Sequence, residues 1–115
     1  MNQIDVDTFL QANGFLPTGA TGKVIEYRSG ALGRFIYFRF DVGLPGYARI
    51  VIHPSEDAKR FHFIEGVKVL EDMRFGNAMK QFPKKKRTSD KEIHYGRALN
   101  ISTFGALEAF STAFC

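Results

Sequence analysis

The chain has 115 residues, 44% of them hydrophobic and 24% charged, with 11 Gly, 4 Pro, one Cys and no Trp. That length and apolar content suit one domain burying about two-thirds of its unfolded surface, and they exclude a collagen-like, disulfide-stapled or wholly disordered chain. The formal net charge of +4 belongs to the second half: residues 1–58 carry five Lys or Arg against six Asp or Glu, residues 59–115 eleven against six. Such a balance favours anionic partners such as nucleic acid, while also serving solubility.

A lone Cys115 at the last position makes neither an internal bridge nor a zinc cluster, which fits a reducing compartment. Residues 1–7 hold two acids and no Lys or Arg, unlike the start of a secretory signal. No run approaches the ~20 apolar residues that span a bilayer. The expectation is a cytoplasmic chain with no membrane partner.

In chain order, Val6, Phe9 and Leu10 recur at helical spacing, with Asp5 and Asp7 near the start and Gly14 beyond the end, which predicts a first helix of about two turns. Residues 18–22, TGATG, read as a turn-rich loop. Three strand-like runs follow, 23–28, 33–42 and 47–53, separated by short Gly-containing links that only antiparallel hairpins can use. In the middle run Ile36, Phe38, Phe40 and Val42 make one apolar face, and Phe35, Tyr37, Arg39 and Asp41 the other. In the third run Ala48, Ile50 and Ile52 oppose Tyr47, Arg49 and Val51. One face must meet helices; the other is aromatic and charged.

Ser55 as cap with Glu56 and Asp57 in the first turn predicts a short helix over 56–64, with a hairpin through Glu65 and Gly66 as the competing reading. Residues 67–70 read as a fourth strand. From 75 to 91 there is little periodicity, and 83–91, PKKKRTSDK, reads as a loop of a length that tends to be functional or disordered. Strand alternation returns over 92–101, and a helix over 103–113, capped by Ser102 or Thr103, closes the chain with Phe104, Leu107 and Phe110 on its apolar face. The expectation is a single-domain α+β two-layer sandwich over 1–115. It has a mainly antiparallel sheet of about five strands in the order helix, three strands, helix, strand, loop, strand, helix, with the helices mainly on one face.

Two features bear on function. The basic run Lys84, Lys85, Lys86 and Arg87 has the charge to neutralise about four phosphates. The mixed sheet face brings Phe35, Tyr37 and Tyr47 as rings for stacking, with Arg39 and Arg49, and Arg97 as a further cation; rings interleaved with guanidinium groups suit single-stranded nucleic acid. The same face would equally serve as the centre of a homo-oligomer or line a small-ligand cavity beneath the sheet. No RNP-type aromatic motif is present.

His53, His62 and His94 match no zinc spacing, so no metal is expected. Asp41 and Asp57-Ala58-Lys59 have the residue types of a metal-dependent nuclease, but Asp57 reads as a helix-start residue. The 18–23 stretch lacks phosphate-loop spacing. With no GxSxG and Cys115 at a terminus, the expectation is a non-enzymatic binding module without a cofactor.

Overall fold

The structure, a computed structural model, describes residues 1–88 and 90–115; Ser89, inside the run expected as a loop, lies outside the described residues. Among the described residues the chain forms α1 (Gln3–Ala12), β1 (Phe15–Ala20), β2 (Val24–Ser29), β3 (Phe35–Arg39), β4 (Ala48–Ile52), a 3₁₀ turn (Ala58–Phe61), β5 (Val67–Phe75), β6 (Lys84–Lys86), β7 (Glu92–Ile101) and α2 (Phe104–Phe114). Every pairing is antiparallel, in the order β1-β2-β3-β4-β7-β5, and β6 pairs with the first residues of β7. The α+β sandwich is therefore present, with seven strands where about five were expected. No helix among the described residues is long and apolar enough to cross a membrane.

Both helices cover one face. The Asn2 side chain accepts the Asp5 N–H at the start of α1, and Thr103, rather than Ser102, caps α2 by accepting the Ala106 N–H. Val6 and Leu10 of α1 and Leu107, Phe110 and Phe114 of α2 then pack on Tyr27, Ile36, Phe38, Ile50, Ile52, Leu99 and Ile101. Phe110 touches the rings of Phe15, Phe61 and Phe114, so the phenylalanine-rich composition becomes a continuous aromatic core.

Four elements differ from expectation. Residues 15–20 are a strand, because an edge position tolerates Pro17 and Gly19 where a central one would not, and a register shift falls between them. The helix expected over 56–64 shrinks to the 3₁₀ turn: Asp57 caps it by accepting the Lys59 N–H, while Ser55 turns to His53 Nδ1. The Glu56 carboxylate is taken by Arg34 at 2.5 Å and Arg60 at 3.3 Å, and Gly66, at φ 86°, turns the chain into β5. β5 runs on to Phe75 across a bulge, where the three residues from Leu70 to Asp72 stand against Ala98 alone, between the Val69–Leu99 and Met73–Arg97 pairs. Finally, 84–86 is a strand, its Lys84, Lys85 and Lys86 opposite His94, Ile93 and Glu92.

To connect β5 to β6 the segment 76–83 crosses the second face of the sheet. Met79 and Phe82 come down on Val24, Tyr37, Val51 and Ala98 as a second buried cluster, and the crossing is pinned by the Gly76 N–H to His94 O and the Tyr95 N–H to Pro83 O. Gly96 lies beneath it. A Cβ at Gly96 would sit 2.6 Å from the Ile52 carbonyl oxygen, 2.7 Å from Val51 Cγ1 and 2.9 Å from Phe82 Cδ2, so β7 passes under the crossing only because this residue has no side chain. Gly96→Ala is accordingly expected to destabilise the fold by about 1–3 kcal/mol, as overpacking against backbone does; urea unfolding of the two proteins checks it, and an unchanged midpoint would contradict the packing described.

Candidate nucleic-acid interface

The structure divides the expected aromatic and basic face into parts with different surroundings. Its centre is closed. Tyr37 is fully buried, its ring edge-on to Phe82 at 4.9 Å, its hydroxyl donating to Glu26 and accepting the Gln81 N–H at 3.0 Å. The expectation that Tyr37 offers a ring to bases is thus corrected: the 76–83 crossing occupies that surface. Phe35 is half-buried against the same cluster.

The end of the face away from Phe35 carries the arginines. Arg39 and Arg49 are directly opposite in the β3–β4 register, Arg49 is opposite Asn100, and Asn100 opposite Lys68, which makes one lateral row across four strands. Arg49 is only 9% exposed. Its Nε donates to Asn100 Oδ1 at 2.7 Å and its guanidinium lies 5.7 Å from the Tyr47 ring centroid, but among the described residues no carboxylate pairs with it. Burial, together with the like charges of Arg74 and Arg39, pulls its pKa below the usual arginine value, against the opposing influence of Tyr47. Arg39 is paired with Asp41 at 2.9 Å. Arg39, Arg49 and Tyr47 are therefore brought together as the sequence suggested, with Tyr47 partly backed by Gly43, whose absent Cβ would sit 2.4 Å from the ring.

Arg97 does not join them. It is in register with Ile52, whose side chain lies in the helix-side core, so it belongs to the opposite face, and its guanidinium donates to the Leu70 and Glu71 carbonyls exposed by the β5 bulge. Its role is to satisfy a bulge, and the expectation of Arg97 as an anion ligand beside Arg39 and Arg49 is corrected on that ground.

The basic run forms the other grouping. Lys84, Lys85, Lys86 and Arg87 are all exposed, and no ion pair ties any of the four to a described acid. Lys85 Nζ stands 4.7 Å from the Tyr95 centroid and 5.7 Å from that of Phe75, Arg87 Cζ lies 5.6 Å from Phe75, and the two rings are 5.9 Å apart. Phe75 and Tyr95 are a directly opposed β5–β7 pair, both half-buried, on the helix side of the sheet but outside its core. Sequence reasoning missed this ring pair by ending the fourth strand at residue 70. The signal was available in the alternation of Met73 with Phe75 and of Ile93 with Tyr95.

Among the described residues no group of three His, Cys, Asp or Glu side chains could hold a metal ion. No protein-family model matches the chain, and no curated protein matches it in sequence.

The enclosed phenols leave a titration signature. Burial first, and then hydrogen bonding to Asp7 and Glu26, push the Tyr27 and Tyr37 hydroxyls well above the ordinary tyrosine value. Above pH ~10 the unfolded chain therefore releases protons that the folded chain keeps. Their contribution is fully present below that pH and falls as pH rises, by about 1.4 kcal/mol per pH unit for each tyrosine. Denaturant unfolding between pH 9 and 11, comparing wild type with Tyr37→Phe, should show a steeper alkaline loss in wild type; parallel curves would place Tyr37 in contact with water.

Proposed function

We propose that this protein binds single-stranded nucleic acid, without catalysing a reaction, on the platform formed by β6 and the Phe75–Tyr95 pair. The observation that carries the reading is the placement of Lys85 and Arg87 over two half-buried rings at the surface. A cation held over a ring keeps its hydrogen-bond donors outward and has less freedom to lose when a phosphate arrives. The rings add a second mode: a base sliding onto Tyr95 or Phe75 exchanges a cation–π contact for stacking, and the released ammonium takes the adjoining phosphate. Stacking tolerates any base, so the expected binding is strong in its salt dependence and weak in its sequence preference.

Duplex is the poorer partner on this reading, since paired bases present no free ring face to Tyr95. The homodimer alternative loses the apolar centre it would need, because Tyr37, Val51 and Ala98 are already enclosed by Met79 and Phe82.

Fluorescence anisotropy with a labelled single-stranded oligonucleotide tests the proposal across a salt series. If all four cations of 84–87 meet phosphates, log affinity falls with log salt at a slope near −3, about −0.7 per contact. Replacing the four by Gln should flatten the slope by about that amount, and Tyr95→Ala should cost about 1–3 kcal/mol. Absence of binding at low salt, or a slope unchanged in the four-fold variant, would overturn it.

A further inference from the structure

Rings and cations alternate in space on the β6 platform, and the alternation constrains the form of strand it can hold. Phe75 and Tyr95 lie side by side on the helix-side face, directly opposed across β5 and β7, with centroids 5.9 Å apart and planes 31° from parallel. Met73 and Ile93, both half-buried, come next to them on the same face of their strands. Lys85 Nζ serves both rings, 4.7 Å from the Tyr95 centroid and 5.7 Å from that of Phe75, and Arg87 Cζ stands 5.6 Å from Phe75. The order is ring, cation, ring, cation: Tyr95, Lys85, Phe75, Arg87.

A single strand repeats base and phosphate in the same alternation. Neighbouring bases that stay stacked are about 3.4 Å apart along the strand, and such a pair presents one outer face, enough for one ring. To seat a base on each of two rings 5.9 Å apart, the step between the bases must open and the strand must be drawn out. The intervening phosphate then falls to Lys85 and the next one to Arg87. Each protein ring is one six-membered face set half-buried in the sheet, so it covers one six-membered ring of a base. The second ring of a purine overhangs it and gains little there, while purines lose more on leaving one another, because they stack the more strongly.

We propose that the platform selects unstacked single strands, and hence pyrimidine runs over adenine runs, by seating two neighbouring bases on Tyr95 and Phe75 with their shared phosphate on Lys85. The proposal rests on the nucleic-acid reading of the platform and adds to it the form of strand that is held. The preference is small beside the salt dependence, since phosphate contacts are common to all sequences. Its origin lies in the free strand: an adenine tract must open a step before it fits, whereas a thymine tract is already open.

The test is fluorescence anisotropy with oligo(dT) and oligo(dA) of equal length at one low salt concentration. Oligo(dT) is expected to bind about fivefold more tightly, and the gap should narrow on warming as oligo(dA) loses its own stack. Phe75→Leu keeps the apolar bulk while removing a flat face. It should weaken oligo(dT) and bring the two affinities together, because a single ring requires no opened step. Tyr95→Leu should do the same from the other side of the pair, and an unfolding midpoint near that of wild type shows each variant to be folded. Binding of neither oligonucleotide at low salt removes the platform and this inference together. Equal affinity of the wild type for the two oligonucleotides with its salt dependence intact, or a preference that survives in both ring variants, overturns the selection of unstacked strands and leaves the platform standing.

Discussion

The fold turns on the contact between Phe82 and Tyr37 across a strand that carries glycine at the crossing point. β5 is an edge strand and β6 continues the sheet on the other side of β7, so the chain must pass over β7 to reach it. The passage is possible only over a residue without a side chain, and Gly96 is that residue. Once across, Phe82 lies edge-on to Tyr37 and the Tyr37 hydroxyl ties Glu26 to the Gln81 N–H. The segment thus exchanges solvent for a second small core and leaves its polar groups satisfied, the condition under which a long connection stays put.

That one passage sorts the charges of the molecule. It covers the apolar middle of the second face, while the basic row Arg39, Arg49, Asn100 and Lys68 lies further along the same strands. It also delivers the basic run to the sheet as a strand, where alternation turns Lys85 and Arg87 toward Phe75 and Tyr95. A free loop of the same composition would scatter its cations in solvent. Here strand geometry and cation–π contact hold two of them in place.

The helix-side core was legible because it follows period: Ile36 and Phe38, then Ile50 and Ile52, then Leu99 and Ile101 alternate strictly, and α1 and α2 repeat at three and four. Fold class, the three-stranded meander and the strand over 92–101 follow from that alone. What was not legible depends on partners distant in sequence. Tyr37 has the composition of an exposed platform residue, and only the arrival of Phe82, forty-five positions later, makes it core. Arg97 alternates as a surface cation, and only the carbonyls of a bulge in another strand give it its place. Residues 84–86 carry no strand propensity, since lysine repeats offer no alternation; the open side of β7 imposes the conformation. In the candidate interface, Arg39, Arg49 and Tyr47 were found together because their register is local, whereas Phe75 depended on a strand end that a bulge concealed.

A buried guanidinium with neutral partners is an unusual thing for a small domain to keep. An apolar side chain of similar size opposite Asn100 would fill the same space without the desolvation, and replacements of that kind often stabilise. Arg49 instead stands directly across from Arg39, whose like charge makes its own harder to hold. Departures of this kind from the rules of a well-packed sheet are expected where a ligand completes the arrangement.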